Sequence, residues 1–173
     1  MSTTLPPRAV LAYRATEWEL LIARHGTAGQ ARFFLESRGR DVEEVHERHR
    51  LQIRALQEVE NAVPRAWRRA RVARGDLPNF LFEPSDIVVA IGQDGLVPNL
   101  AKYVAGQPVI GVNPDPDRYE GILVRTSASA TRDLLHAAAT DTASFEERTM
   151  VEARIDDGQA LIALNEIYVG HQS

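Results

Sequence analysis

The sequence predicts an α/β fold: a Rossmann-like parallel sheet flanked by helices, then a β-hairpin that begins an incomplete β-rich domain. Three observations carry this. The β-branched apolar runs "IVVAIG" (87–92) and "PVIGV" (108–112) have the composition of strands buried on both faces of a parallel sheet. Between them "LVPNLAKYVAG" (96–106) reads as a helix stopped by Gly106, which makes a βαβ unit with a right-handed crossover. Beyond residue 141 the pattern turns to alternation around "DDG" (156–158), which marks a hairpin.

The elements follow in order. "RAVLAYR" (8–14) is a first strand. Thr16 and Glu19 then form a capping box, in which each side chain satisfies an orphan N–H of a helix whose apolar residues Trp18, Leu21 and Ile22 share one face. Gly26 supplies its left-handed stop. Thr27 with Gln30 makes a second box, opening a helix that stops at Gly39, and Asp41 with Glu44 a third, opening a long charged helix from Val42 to Ala62. Pro64 ends that helix, an Arg-rich turn runs to Arg74, and "GDLPNFLFEPSD" (75–86) is loop. After the βαβ unit, "GILV" (121–124) reads as one more strand and "SASATRDLLHAAATD" (127–141) as a helix. The organisation expected is an α/β nucleotide-binding lobe over 1–141 and the opening hairpin of a truncated second domain over 142–173.

Composition narrows the function classes. The 173 residues suffice for one domain with a real core, and 44% hydrophobic with 25% charged residues is an ordinary globular profile. No apolar run approaches the ~20 residues of a membrane helix, and "MSTTLPPRAV" lacks the layout of a secretory signal. Without cysteine there are neither disulfides nor thiolate metal sites, and a cytoplasmic location is expected. A net charge of −4 offers no general attraction to nucleic acid or anionic membrane, so neither is expected as a partner.

The strongest local signal is "VVAIGQDGLVPN". A glycine-bounded turn, Gly92-Gln93-Asp94-Gly95, lies at the carboxyl end of a parallel strand, where α/β proteins bind ligands. The helix that follows offers unpaired N–H groups to phosphate. Asp94 repels an anion, so it has two readings here: an N-cap for helix 96–105, or a carboxylate that takes a proton from a hydroxyl or holds Mg²⁺ beside phosphate.

The stretch "DIVVAIGQDGLVPNLAKYVAGQPVIGVN" resembles the signature of the NAD kinase family, and "RTMVEARI…ALNEIYV" resembles that family's second block. Order and spacing agree over residues 86–169. The resemblance implies phosphorylation of the adenosine 2′-hydroxyl of NAD to give NADP, dependent on ATP (or polyphosphate) and Mg²⁺. It implies Asp94 as general base, the backbone around Gly92, Gln93 and Gly95 against phosphate, and Asn165 with Glu166 on the adenosine end of the dinucleotide. It also implies a homo-oligomer. The chain departs from the family at Gln93, where a glycine is usual, and at Leu96, where a threonine is usual. A further Gly/Thr/Ser-rich segment is missing after Gly121, so weak or no turnover is expected from this chain alone. The alternative is a nucleotide-binding or regulatory relative that does not catalyse.

Other features compete. "LLIARHGTAGQ" (20–30) has the Arg-His-Gly of histidine phosphatases, with "VGHQS" as a second histidine. Its cap, spacing and stop are helical, so His25 is expected in the last turn of a helix. "HERH" (46–49), with Glu43 and Glu47 nearby, is read as a solvated helix face rather than a metal site. "PRAWRRARVAR" (64–74), with five Arg and a Trp, is read as a salt-bridged surface. Asp115 and Asp117, beside Pro114 and Pro116, are read as turn residues rather than metal ligands.

Overall fold

The computed structural model describes residues 6–168. Its body is a four-stranded parallel sheet of β1 (Arg8–Tyr13), β2 (Arg68–Ala73), β3 (Asp86–Ile91) and β4 (Val109–Val112), ordered β2-β1-β3-β4. Helices α1 (Glu17–His25), α2 (Ala28–Glu36) and α3 (Val42–Ala62) join β1 to β2; α4 (Leu96–Ala101) joins β3 to β4. α5 (Thr131–Ala139) follows β4, and β5 (Val151–Arg154) pairs antiparallel with β6 (Ala160–Ala163) in a separate hairpin. The predicted α/β fold is the observed one.

The two-residue period of the central strands builds the core. Ala9, Leu11, Ile87, Val89 and Ile91 face one way and pack on Leu56, Val59 and Val63 around α3 and on Leu135 of α5. Val10, Ala12, Val88 and Ala90 face the other way, onto Leu77 and onto Leu96 and Leu100 of α4. Every residue of β3 is buried, as its unbroken apolar run requires. Because α3 and α4 cover opposite faces, the chain winds outward in both directions from β1 and β3. The sheet therefore has a switch point between them. A third cluster (Trp18, Leu21, Ala31, Leu35, Val42 and Val45) holds α1, α2 and the start of α3 together.

The helix punctuation is close to the expected. Thr16 and Glu19 form the full capping box, and Gly26 closes α1 at φ +84°. The boxes expected at Thr27 and Asp41 are half-formed. Thr27 accepts from the Gln30 N–H, and Asp41 from the Glu43 and Glu44 N–H groups. The carboxylate expected to answer Asp41, that of Glu44, pairs instead with Arg118 at 3.0 Å.

Three expectations are corrected. The Arg-rich turn before residue 74 is β2, an edge strand: Ala70 and Val72 turn into the core while Arg69 and Arg71 turn out. Charge on an edge strand blocks pairing with other sheets, which explains arginines where a buried strand would carry valines. Residues 121–124 form no strand, because one carboxylate gathers the successive N–H groups of Ile122, Leu123 and Val124 and leaves none for a ladder. Pairing resumes only at Thr126, which bridges Val112. Finally, α4 ends at Ala101, short of Gly106. Residues 169–173, with the "VGHQS" histidine His171, lie outside the described residues.

Among the described residues, one charged side chain is fully buried. Asp86 opens β3 beside Arg8, which opens β1. Arg8 grips it bidentately, Nε to Oδ1 at 2.9 Å and Nη2 to Oδ2 at 2.7 Å, and the Glu83 N–H adds 2.7 Å to Oδ2. That hydrogen bond to Asp86 raises the Arg8 guanidinium above its ordinary value. Asp86→Ala leaves Arg8 only Glu83 at 3.3 Å and the Leu81 carbonyl and is expected to cost roughly 1.5–3 kcal/mol in urea unfolding, whereas the double change Arg8→Met with Asp86→Leu is expected to recover most of it.

Candidate functional site

A cleft of about 560 Å³ opens at the carboxyl ends of β1 and β3. This is the switch point, where open α/β sheets present their loops to ligands. Its floor is the turn after β3, through Gly92, Gln93 and Gly95. One wall is the segment after β1, from Arg14 to Glu17, together with Arg48 and His49 of α3. The other is formed by Pro114, Asp115 and Tyr119 after β4. Gln52 of α3 donates its Nε2 to the Ile91 carbonyl at 2.9 Å and so pins the helix to the end of β3.

The cleft is rich in cations. Arg14, Arg48 and Arg74 all line it. Arg48 pairs with Glu17 at 3.0 Å, and its Nε is buried without a hydrogen-bond partner. Arg74 lies 3.4 Å from the Asn99 amide oxygen, and Arg14 makes no ion pair among the described residues. Glu17 and Asp115 are the acidic residues of the lining. Guanidinium groups beside a glycine-bounded turn supply the positive charge and forked donors that pair with phosphate or carboxylate groups.

Of the expected site residues, Gly92, Gln93 and Gly95 line the cleft. Asp94 turns its carboxylate to the loop after β4. Oδ1 accepts from the N–H groups of Leu123 at 2.7 Å and of Ile122 and Val124 at 3.0 Å; Oδ2 accepts from Ile122 at 2.8 Å. Burial pushes the carboxyl up, but these backbone donors, with Arg125 nearby, outweigh it and hold Asp94 below its ordinary value. The N-cap reading fails, since the residue before α4 is Gly95 and no side chain caps that helix.

The loop held by Asp94 is fitted closely to the sheet. A Cβ on Gly111 would lie 2.1 Å from the Leu123 carbonyl oxygen, so only glycine lets β4 pass beneath it. Gly121 sits at φ +72° with the Val124 carbonyl 2.5 Å from where its Cβ would be. The buried Asn113 side chain accepts from the Asp115 N–H at 3.0 Å and donates to the Tyr119 carbonyl at 2.6 Å, closing the turn between them. Asp115 and Asp117 are thus turn residues, and Asp115 also faces the cleft.

Asn165 and Glu166 follow β6, both exposed, and neither is among the residues lining the cleft. His25 ends α1 and stacks on Phe34 at 4.4 Å, as helix punctuation requires. His46 and His49 diverge, to the Trp18 ring edge at 4.0 Å and to Thr16 at 2.9 Å. No metal-binding group of three or more His, Cys, Asp or Glu exists among the described residues. Glu43 and Glu47 pair with Arg50, whose hydrogen bond holds the Glu43 carboxyl below its ordinary value. Arg68 pairs with Glu83 and Arg71 with Glu60, which makes the arginine-rich segment the salt-bridged surface expected. Sequence reasoning missed Arg14, Arg48 and His49. Arg14, directly after the first strand, was within reach of the switch-point rule; the other two needed the angle of α3.

Comparison of the chain with protein-family models and with curated proteins yields no match. No helix among the described residues is long and apolar enough to cross a membrane.

Removing the Asp94 carboxylate is expected to release the 122–124 amides to hydrogen exchange and to cost roughly 1.5–3 kcal/mol at neutral pH. A carboxylate held below its unfolded value of about 3.9 stabilises fully above that value and loses its contribution as pH falls through the folded one. The deficit of Asp94→Ala in urea unfolding is therefore expected to shrink below about pH 4. Gly111→Ala forces backbone apart and is expected to cost about 1–3 kcal/mol or more in the same measurement.

Proposed function

We propose that the chain is the nucleotide-binding lobe of an NAD kinase-like phosphotransferase. The observation that carries this reading is the meeting, at the switch point, of the Gly92–Gly95 turn with Arg14, Arg48 and Arg74. The cleft takes nucleotide phosphates, and the reaction moves a phosphoryl group from ATP or polyphosphate to the adenosine 2′-hydroxyl of NAD. Phosphoryl transfer asks little of the protein beyond orientation and charge neutralisation, and three guanidinium groups supply the second.

Asp94, which adjoins the floor of the cleft and is not among its lining residues, is the proposed base. Its Oδ1 accepts three N–H groups but its Oδ2 only one, which leaves Oδ2 capacity for a hydroxyl proton. Magnesium would enter the cleft largely on the substrate phosphates. There the ion would neutralise phosphate charge.

A second reading, nucleotide binding without turnover, is favoured by the same carboxylate. Three amides already employ it, and a base held below its ordinary value accepts protons less readily. Gln93 and Leu96, in place of a glycine and a threonine, point the same way.

Calorimetric titration with ATP and NAD, alongside an assay for NADP, tests both readings. Under the first, the wild type binds and forms NADP, and Asp94→Asn lowers turnover roughly 10²-fold or more while nucleotide affinity changes little. Binding without NADP formation leaves the second reading, and absence of nucleotide binding overturns both. Arg14→Ala is expected to weaken ATP binding about tenfold or more under either reading.

A further inference from the structure

We infer that His49 is a fourth phosphate-binding group of this cleft, recruited by protonation at Nε2, so that nucleoside polyphosphate binding takes up a proton. The inference rests on the cleft's being a phosphate site. Its ground is the hydrogen-bond arithmetic of Thr16. That hydroxyl lies 2.9 Å from Glu19 Oε2, 2.9 Å from His49 Nδ1 and 3.3 Å from the Glu19 N–H. A hydroxyl has one donor and two acceptor positions, and an ionised carboxylate only accepts. The Thr16 proton therefore goes to Glu19, and the two lone pairs accept the Glu19 N–H and His49 Nδ1–H. The capping box thus sets the tautomer of a histidine 33 residues away. With Nδ1 carrying the proton, the neutral ring keeps its lone pair on Nε2.

His49 lines the cleft beside Arg48. In the neutral form its Nε2 lone pair opposes a phosphate oxygen; in the protonated form Nε2–H donates to it. Charged groups of both signs surround the ring. Arg14 after β1, Arg48 on α3 and Arg74 after β2 are the cations that share the cleft with it. Glu17 and Glu19 on α1 and Asp115 after β4 are the acidic groups on this side, of which Glu17 is engaged by Arg40 and Arg48, and Glu19 by its own capping box. A bound polyphosphate brings several negative charges against the three arginines and tips the ring to its charged form. The Thr16 anchor holds in both forms, because Nδ1 donates in each. The ring need not move.

The test is calorimetric titration with inorganic triphosphate at pH 6 and pH 8, in buffers of contrasting ionisation enthalpy, for the wild type and His49→Gln. The terminal phosphate of the probe titrates in the same range and contributes equally to both proteins. For the wild type, affinity is expected to rise roughly tenfold more between pH 8 and pH 6 than for His49→Gln, with excess proton uptake in the buffer series. The proton count and the His49 imidazole NMR shift, with and without triphosphate, are read on the wild type and stand even if the variant folds poorly. Equal pH dependence, or an imidazole whose titration the probe leaves unmoved, overturns the role of His49 while leaving the phosphate cleft intact. No triphosphate binding at either pH overturns the cleft reading, and the inference with it.

Discussion

The carboxylate of Asp94 holds the loops at the carboxyl end of the sheet together. It sits in the turn after β3 and gathers three successive amides from the loop after β4, so neither segment can shift without the other. Each of those amides would otherwise need water or a strand partner. The cleft floor and the loop behind it are thereby joined through one side chain, and the wall from Pro114 to Tyr119 is closed separately by Asn113. A single acidic residue does here what an additional strand would do elsewhere.

Much of this was legible in the chain. The unbroken β-branched apolar run of 87–91 marks β3, and the Thr16–Glu19 box with Gly26 marks both ends of α1. Such signals are local, and local chemistry suffices to read them. What was not legible depends on partners distant in sequence. Residues 121–124 look like a strand until Asp94, some thirty residues earlier, claims their amides. The segment 68–73 looks like a polar turn because Arg68, Arg69 and Arg71 obscure the inward pair Ala70 and Val72. Asp86 looks like a loop residue, and only the register of β1 against β3 sets it beside Arg8. In the site the division is the same. The turn of Gly92, Gln93 and Gly95 was visible as a motif, whereas Arg48 and His49 stand within a helix whose sequence reads as a solvated face.

The charges are segregated along the strands. At the amino ends of β1, β2 and β3, Arg8 and Arg68 stand next to each other in register and are neutralised by Asp86 and Glu83. That end is closed and internally balanced. At the carboxyl ends, Arg14, Arg48 and Arg74 face two acidic residues of the lining, one of them already engaged by Arg48. The positive excess therefore lies at the end where parallel strands display their loops. The location of that excess, not the net charge of −4, decides which ligands the chain attracts.

The contact between Gly111 and the Leu123 carbonyl has a mechanical consequence. Backbone touching backbone leaves no side chain to rotate aside, and this contact lies under the loop that Asp94 grips from the other direction. Fastened at two points, that side of the cleft behaves as an extension of the sheet. The opposite side is built differently. α1 and α2 rest on their own small cluster, tied to the sheet through α3 and its Gln52 bond at the end of β3. The cleft thus has one wall continuous with the sheet and one carried on helices packed against it.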